Sequence, residues 1–127
     1  MIEQDLVTRL NADVDVAALV GTRVYSAPMP EKATLPAVQW QLIGDTSDRV
    51  AAGVLNYRRA RIQVTAWDEE RLTAINTATA VRNCLDGWQS SAVHMAWVTN
   101  EVDLFDSTFN PARHGRALDV VVIYKEQ

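Results

Sequence analysis

Apolar and polar side chains alternate along residues 58–67, where Ala60, Ile62, Val64 and Ala66 are separated by mostly polar residues. A period of two places successive side chains on opposite faces of an extended chain. One face of this segment is therefore apolar and the other mainly polar. The pattern predicts a half-buried β-strand whose apolar face is covered by another layer of the protein.

A helical pattern follows this strand. Apolar residues recur at spacings of three and four, which places them on one helical face: Leu72, Ala74, Ile75, Ala78, Val81 and Leu85. Asp68 can accept hydrogen bonds from free backbone N–H groups, and Glu69 and Glu70 place negative charge where the helix dipole favours it. These features predict a helix over about residues 69–85, capped by Asp68 and ended by Gly87.

The N-terminal part of the chain predicts two short helices. Apolar residues at positions 2, 6, 7 and 10 share one helical face, which predicts a first helix to about Leu10. Asp13 can cap a second helix, and Gly21 can close it. Val24 and Tyr25 then form a brief extended piece.

Three further strands are predicted by the alternation of apolar side chains, at residues 36–43, at 93–98 with a continuation towards 104, and at 117–124. The last strand is apolar at every position from 120 to 123, which is typical of a strand covered on both faces. Residues 44–56 and 106–115 are predicted loops. The first is longer than most hairpin connections, so it is either a binding element or a mobile hairpin tip.

The order of these elements predicts one α+β domain over residues 1–127. We expect a mainly antiparallel four-stranded sheet, built as hairpin, helix and hairpin, with the long helix on one face and a short helical segment at the N-terminus. Ile75, Ala78 and Leu85 are predicted to be buried between the helix and the sheet.

Composition narrows the class of protein. The chain has 127 residues, a net charge of -4 and only two lysines, Lys32 and Lys125. This balance argues against a dedicated nucleic-acid binder, which needs clustered cations to neutralise phosphates. The single cysteine cannot form an internal disulfide, and no apolar run is long enough to cross a bilayer. We therefore expect a soluble protein, made in a reducing cytoplasm and not associated with a membrane.

Few residues are candidates for chemistry. His94 is placed in a predicted strand and His114 in a predicted loop, where it is expected to be solvated. Neither has a nucleophile motif beside it. Cys84 falls near the end of an amphipathic helix, where a free cysteine usually packs as a small apolar residue. Because the chain also lacks a phosphate-binding glycine loop and a metal-ligand cluster, we expect no enzyme activity, no cofactor and no metal.

Two charged groups are candidate contact surfaces. Arginines crowd the start of the central strand, and with two nearby acids they form the candidate subunit or partner interface: Arg49, Arg58, Arg59, Arg61, Asp45 and Asp48. Arg59 and Arg61 are expected on the same polar face. The arginines are either a solvated sheet face or cations that pair with acids of a neighbouring subunit, and a phosphate-contacting patch fits the acidic total less well.

The second group is a small acidic run, formed by Glu101, Asp103 and Asp106. Its spacing is not that of a calcium-binding loop. We expect a solvated acidic face there.

Six segments, in this order, resemble a known family: residues 16–25, 35–38, 59–64, 80–82, 85–87 and 103–106. They resemble the tail completion or tail terminator proteins of long-tailed bacteriophages and prophages, and the resemblance covers nearly the whole chain. The sequence departs from the family at residues 44–56 and 109–115, where family members vary widely. Details of partner contact are therefore the least transferable part.

The resemblance implies a structural, non-catalytic virion protein of the tail that assembles in the cytoplasm of a host bacterium. Such proteins form rings, commonly hexameric, on the head-proximal end of the tail tube. The ring stops tube growth and provides the surface for docking the head. The implied partners are further copies of the chain, the major tail-tube protein and a neck or head-completion protein, with DNA passing through the lumen without specific binding.

Two other functions remain open at this point. The chain can be another neck or head-completion connector of the same machine. It can also belong to a different class, as a small bacterial binding module or an accessory enzyme.

Overall fold

The computed structural model describes residues 2–47 and 57–125. Three helices and five strands follow one another along the chain: α1 (Ile2–Ala12), α2 (Val14–Val20), β1 (Val24–Ser26), β2 (Ala37–Ser47), β3 (Tyr57–Asp68), α3 (Arg71–Leu85), β4 (Val93–Asp106) and β5 (Arg113–Lys125). The strands form one sheet in the order β1-β2-β3-β5-β4. This α+β architecture, with a long helix on one face and a short N-terminal helical segment, confirms the predicted fold class.

The sheet has one strand more than predicted. Val24 and Tyr25, expected only as a brief extended piece, belong to β1, which pairs in parallel with residues 38–40 of β2. The other three pairings, β2 with β3, β3 with β5 and β5 with β4, are antiparallel. A three-residue strand carries too little alternation to be read as a strand from sequence, because its register is set by its partner.

Both hairpins extend further than predicted. Residues 44–47, assigned to the loop, continue β2 and pair with residues 58–61 of β3. β5 begins at Arg113 instead of 117, so His114 lies in a strand opposite Phe105 and not in a solvated loop. Polar side chains on the uncovered face of a sheet do not interrupt its backbone pairing, and this explains why the loop predictions were too long.

α2 has the predicted cap. The Asp13 carboxylate accepts hydrogen bonds from the backbone N–H groups of Asp15 and Val16, each at 3.0 Å. At the other end the Gly21 N–H donates to the Ala17 carbonyl at 2.8 Å, with Gly21 at φ 59°. The helix is therefore closed by a residue that accepts positive φ without a steric penalty.

The predicted start of α3 was wrong by two residues. The helix begins at Arg71, and the Asp68 carboxylate accepts a hydrogen bond from the Glu70 N–H at 2.8 Å. Asp68 thus forms a local turn between strand and helix and is not the N-cap. An aspartate two residues before a free N–H makes this turn as readily as a cap, so sequence could not separate the two.

The buried face of α3 also differs from the predicted stripe. Ala78 and Leu85 are buried as predicted, whereas Ile75 is only half-buried and Leu72 is 68% exposed. Thr77 takes part in the buried face instead, because its hydroxyl donates to the Thr73 carbonyl at 2.8 Å and so is satisfied without water. The buried positions then repeat as 74, 77, 78, 81, 84 and 85.

The core lies between the helices and one face of the sheet. It joins side chains of all three helices to the residues at even positions of β3, Ala60, Ile62, Val64 and Ala66. The opposite face, which carries the odd positions of β3, is not covered by a helix among the described residues; we call it the open face. On it, Val121 and Ile123 of β5 are still largely buried, which confirms that this strand is covered on both sides over part of its length.

Candidate subunit interface

Arg58 and Asp45, two of the predicted interface residues, are paired with each other. Arg58 Nε donates to Asp45 Oδ1 at 2.9 Å, and Arg58 Nη2 donates to the Asp45 carbonyl at 3.2 Å. The Tyr124 hydroxyl of β5 donates to Asp45 Oδ2 at 2.5 Å. Burial, together with this carboxylate, raises the pKa of Tyr124 to about 12. The cluster joins three neighbouring strands, so these charges hold the sheet of their own subunit together.

Arg59 and Arg61 lie on the open face of β3, and both are exposed. Their alternation with the core residues of β3 places them on the same side, as expected. The Arg59 guanidinium lies 5.5 Å from the ring centroid of Trp97 on β4, a distance that allows cation–π attraction. This contact spans β5 and brings an aromatic ring beside the arginines. The remaining two predicted residues, Arg49 and Asp48, lie outside the described residues.

The acidic run is divided between two environments. Glu101 and Asp103 of β4 belong to an ion-pair network with three arginines, two from α3 and one from β5. Arg82 and Arg116 donate to the two Glu101 oxygens at 2.6 and 3.1 Å. Arg116 and Arg71 donate to the two Asp103 oxygens at 2.7 and 2.8 Å. These two acids are neutralised within the chain.

Asp106 lies apart from this network, at the start of the β4–β5 turn. Its carboxylate accepts from the Thr108 N–H at 2.9 Å and from the Thr108 hydroxyl at 2.5 Å. These hydrogen bonds lower the pKa of Asp106, and the hydrogen bond from Arg71 lowers that of Asp103. Asp106 therefore has a local turn-forming role that the spacing of the three acids did not reveal.

The sequence did not predict the exposed apolar residues of the two outer strands. Six large apolar side chains are exposed among the described residues, and four of them lie on β2 and β4: Ile43, Met95, Val102 and Phe105. β4 is an edge strand, and β2 is bordered only by the three residues of β1. In the sequence, the sign of these exposed residues was that apolar residues occupy both odd and even positions of residues 102–105. This pattern indicates exposed apolar side chains only when β4 is known to be an edge strand.

A groove of about 270 Å³ lies between the beginning of α3 and the distal end of β4. Its apolar wall is formed by Ala74, Ile75, Leu104 and Phe105. The Phe105 ring lies 5.0 Å from the His114 ring, centroid to centroid. Because the Phe105 ring is 63% exposed, this end of β4 is an open surface and not an enclosed site.

The residues considered for chemistry are Cys84 and the two histidines. Cys84 is buried at the end of α3, and burial is the main cause that raises its pKa to about 11. The thiol is therefore protonated at neutral pH and is a poor nucleophile. His94 lies near the Tyr57 ring at one end of the sheet, and His114 lies at the other end. The two histidines therefore lie at opposite ends of the sheet.

No group of three or more His, Cys, Asp or Glu residues in the described part of the chain could hold a metal ion. Within the same residues, no helix combines the length and the apolar character needed to span a membrane.

A scan against protein-family models matches residues 4–124 to the family described as Tail completion protein gp17. The chain belongs to this family. The match confirms the resemblance inferred from the six segments and makes the chain a member of a class of structural phage tail proteins. A search of curated proteins by sequence finds no match.

One similar solved structure is a chain from a virion of a native gene transfer agent particle. The two chains superpose with a TM-score of 0.66 at 20% sequence identity, over 95% of this chain and 92% of that chain. At this identity the similarity shows a shared fold. That chain is part of a virion particle.

Proposed function

We propose that this protein forms a ring, of about six copies, on the head-proximal end of a phage tail tube. The ring stops tube polymerisation and provides the surface onto which the head docks. The observation that carries this proposal is the match to the tail completion family along residues 4–124. The proposal adds to that family membership the ring, its place on the tube and the termination of growth.

The distribution of exposed apolar side chains supports an assembly role. Four of the six lie on strands at or next to the edges of the sheet, where a neighbouring subunit could cover them. An exposed edge strand invites pairing with other chains, so a soluble protein usually protects such edges or covers them in an assembly. The two sheet edges are different surfaces, as a head-to-tail ring contact requires.

Termination needs two unlike faces on the ring. A tube subunit presents at its growing end the surface that recruits the next subunit, so growth stops only when something binds that surface without recreating it. One ring face would bind the tail-tube protein and the other a neck or head-completion protein. Arg59 and Arg61 are the candidate residues for contact with a neighbour or partner, together with Arg49 and Asp48 in residues 44–56. Arg58 and Asp45 are already paired within the subunit.

The charge of the chain suits a lumen through which DNA passes. The net charge is -4, and several arginines are neutralised by acids of the same chain. A wall that does not concentrate positive charge would not retain phosphates during genome passage. We therefore propose that the ring makes no specific contact with nucleic acid and carries out no catalysis.

The test is to inactivate the gene in the phage or prophage that carries it, and to image the lysates by electron microscopy. Tails that are overlong, or tails of any length that remain unjoined beside filled heads, are the expected result. Complementation with the wild-type gene should restore joined tails of normal length. Normal tails beside heads that fail to retain DNA would contradict termination and indicate a neck connector instead.

A further inference from the structure

The distal half of β4 is an edge that the chain itself leaves unprotected. Residues 100–106 pair on one side with β5 without a register shift, and on the other side they face no strand in the described part of the chain. Seven residues span roughly 23 Å of edge at the usual rise of about 3.3 Å per residue. The two bulges of β4, which would disturb pairing with another strand, both precede this segment.

Charge does not protect this edge either. Acidic side chains on an edge strand normally discourage pairing with another strand. Here Glu101 and Asp103 are held against the helix layer by Arg71, Arg82 and Arg116. The neighbouring Val102 and Phe105 remain 45% and 63% exposed. The segment thus combines length, regular register, local charge neutrality and exposed apolar side chains, the combination that favours addition of a strand.

We propose that residues 100–106 of β4 are a strand-addition site, and that the β1–β2 edge of a second copy of this chain occupies it. The inference rests on the proposed ring and specifies its subunit contact. The strand directions support a second copy, because β4 runs antiparallel to β5, β5 to β3 and β3 to β2, with β1 parallel to β2. β4 therefore runs opposite to β1 and β2 at the other edge.

When a rotation places a second copy beside the first, across the direction of the strands, β4 of the first copy lies antiparallel to the β1–β2 edge of the second. Such a contact uses two different surfaces and repeats until the rotation closes, which is the geometry of a ring. Pairing of β4 with another β4 would instead use one surface twice and stop at a dimer. The occupied edge and the oligomeric state are thus linked predictions.

The register within one subunit identifies residues for a cross-linking test. Val102 pairs with Ala117, Ala117 with Thr65, Thr65 with Gln39 and Gln39 with Tyr25, so Val102 and β1 lie at the same height on opposite edges. Tyr25 also lies on the same face of the sheet as Val102, because paired residues of adjacent strands share a face. Cysteines in place of Val102 and Tyr25 would face each other between neighbouring copies, within reach of a short bismaleimide.

In the experiment, assembled V102C/Y25C protein is treated with the bismaleimide and separated on a denaturing gel. The expected result is a ladder of dimer, trimer and higher species ending at the ring number, with no ladder for V102C or Y25C alone. V102C/V14C is the matched control, because Val14 is 81% exposed but lies on α2. The buried Cys84 can stay in place, and wild-type protein treated in the same way shows whether it reacts.

A second variant tests the same edge without cross-linking. V102K adds a charge near the centre of the segment and should abolish rings, measured by analytical ultracentrifugation, while circular dichroism shows an unchanged monomer fold. L72K, at a 68% exposed position on α3, should leave ring formation unchanged.

The outcomes separate this inference from the proposed ring. Rings that form in V102K as in the wild type, or that give no V102C/Y25C ladder, would overturn the edge contact and leave the ring intact. A V102C dimer that goes no further would overturn it in favour of β4–β4 pairing. Absence of rings in the wild type, both alone and on tail tubes, would overturn the proposed ring and this contact together.

Discussion

Gly115 is the position at which a single methyl group should be most disruptive to the open face. Trp67 of β3 lies over Gly115 of β5, and the two residues are register partners. A Cβ added at Gly115 would lie 2.8 Å from two carbons of the Trp67 ring, and carbon atoms pack at about 3.5–4.0 Å. The Trp67 indole is held in place by a hydrogen bond from Nε1 to Gln39 Oε1 at 3.0 Å. The ring therefore cannot move away without losing a partner.

We expect Gly115→Ala to lower the free energy of unfolding by about 1–3 kcal/mol, the usual cost of overpacking. The backbone at Gly115 does not have positive φ, so the methyl contact and not backbone strain is the cause. Urea unfolding followed by tryptophan fluorescence measures the change. With a slope of about 2 kcal/mol/M, a loss of about 2 kcal/mol moves the midpoint by about 1 M.

Gly44→Ala is the matched control, because a Cβ at Gly44 meets no atom within 4 Å. It should be neutral or stabilise the protein by about 0.4–1 kcal/mol, since alanine restricts the unfolded chain. In a Trp67→Leu background, which removes the aromatic ring, Gly115→Ala should cost much less than in the wild type. An equal cost in both backgrounds would refute the assignment of the loss to the Trp67 contact.

Two further predictions concern the helix layer. Leu85→Ala should lower the free energy of unfolding by about 2–5 kcal/mol, because Leu85 is fully buried. Ile75→Ala should lower it by less than half as much, because Ile75 is only half-buried. The urea midpoints of the two variants measure the difference, and equal losses would contradict the packing of α3. Because the folded protein raises the pKa of Cys84 from 9.0 to about 11, its contribution to stability is complete below pH 9 and is lost as the pH rises to about 11. The decrease in urea midpoint between pH 8 and pH 10 should therefore be smaller in Cys84→Ala than in the wild type, and an unchanged decrease would contradict this linkage.

The sequence predicted those parts of the fold that depend on short-range pattern. The alternation along β3, the cap of α2 and the apolar run of β5 each depend on neighbouring residues, and the structure confirms them. The start of α3 was missed because a single aspartate can form either a cap or a turn, and the choice depends on how the strand enters the helix layer. Ile75 and Leu72 were missed because apolar spacing defines a helix face only to within about one residue on each side.

The charged candidates depended on information that no local pattern contains. Glu101 and Asp103 appear as an acidic run in sequence, yet the arginines that neutralise them come from α3 and β5. These partners meet because β5 lies between β3 and β4, which brings the last strand of the chain into the middle of the sheet. The same insertion makes β4 an edge strand and leaves Val102 and Phe105 exposed. Strand order therefore causes both features. It places arginines beside the acids that would otherwise protect the edge of β4, and it leaves that edge exposed to a neighbouring subunit.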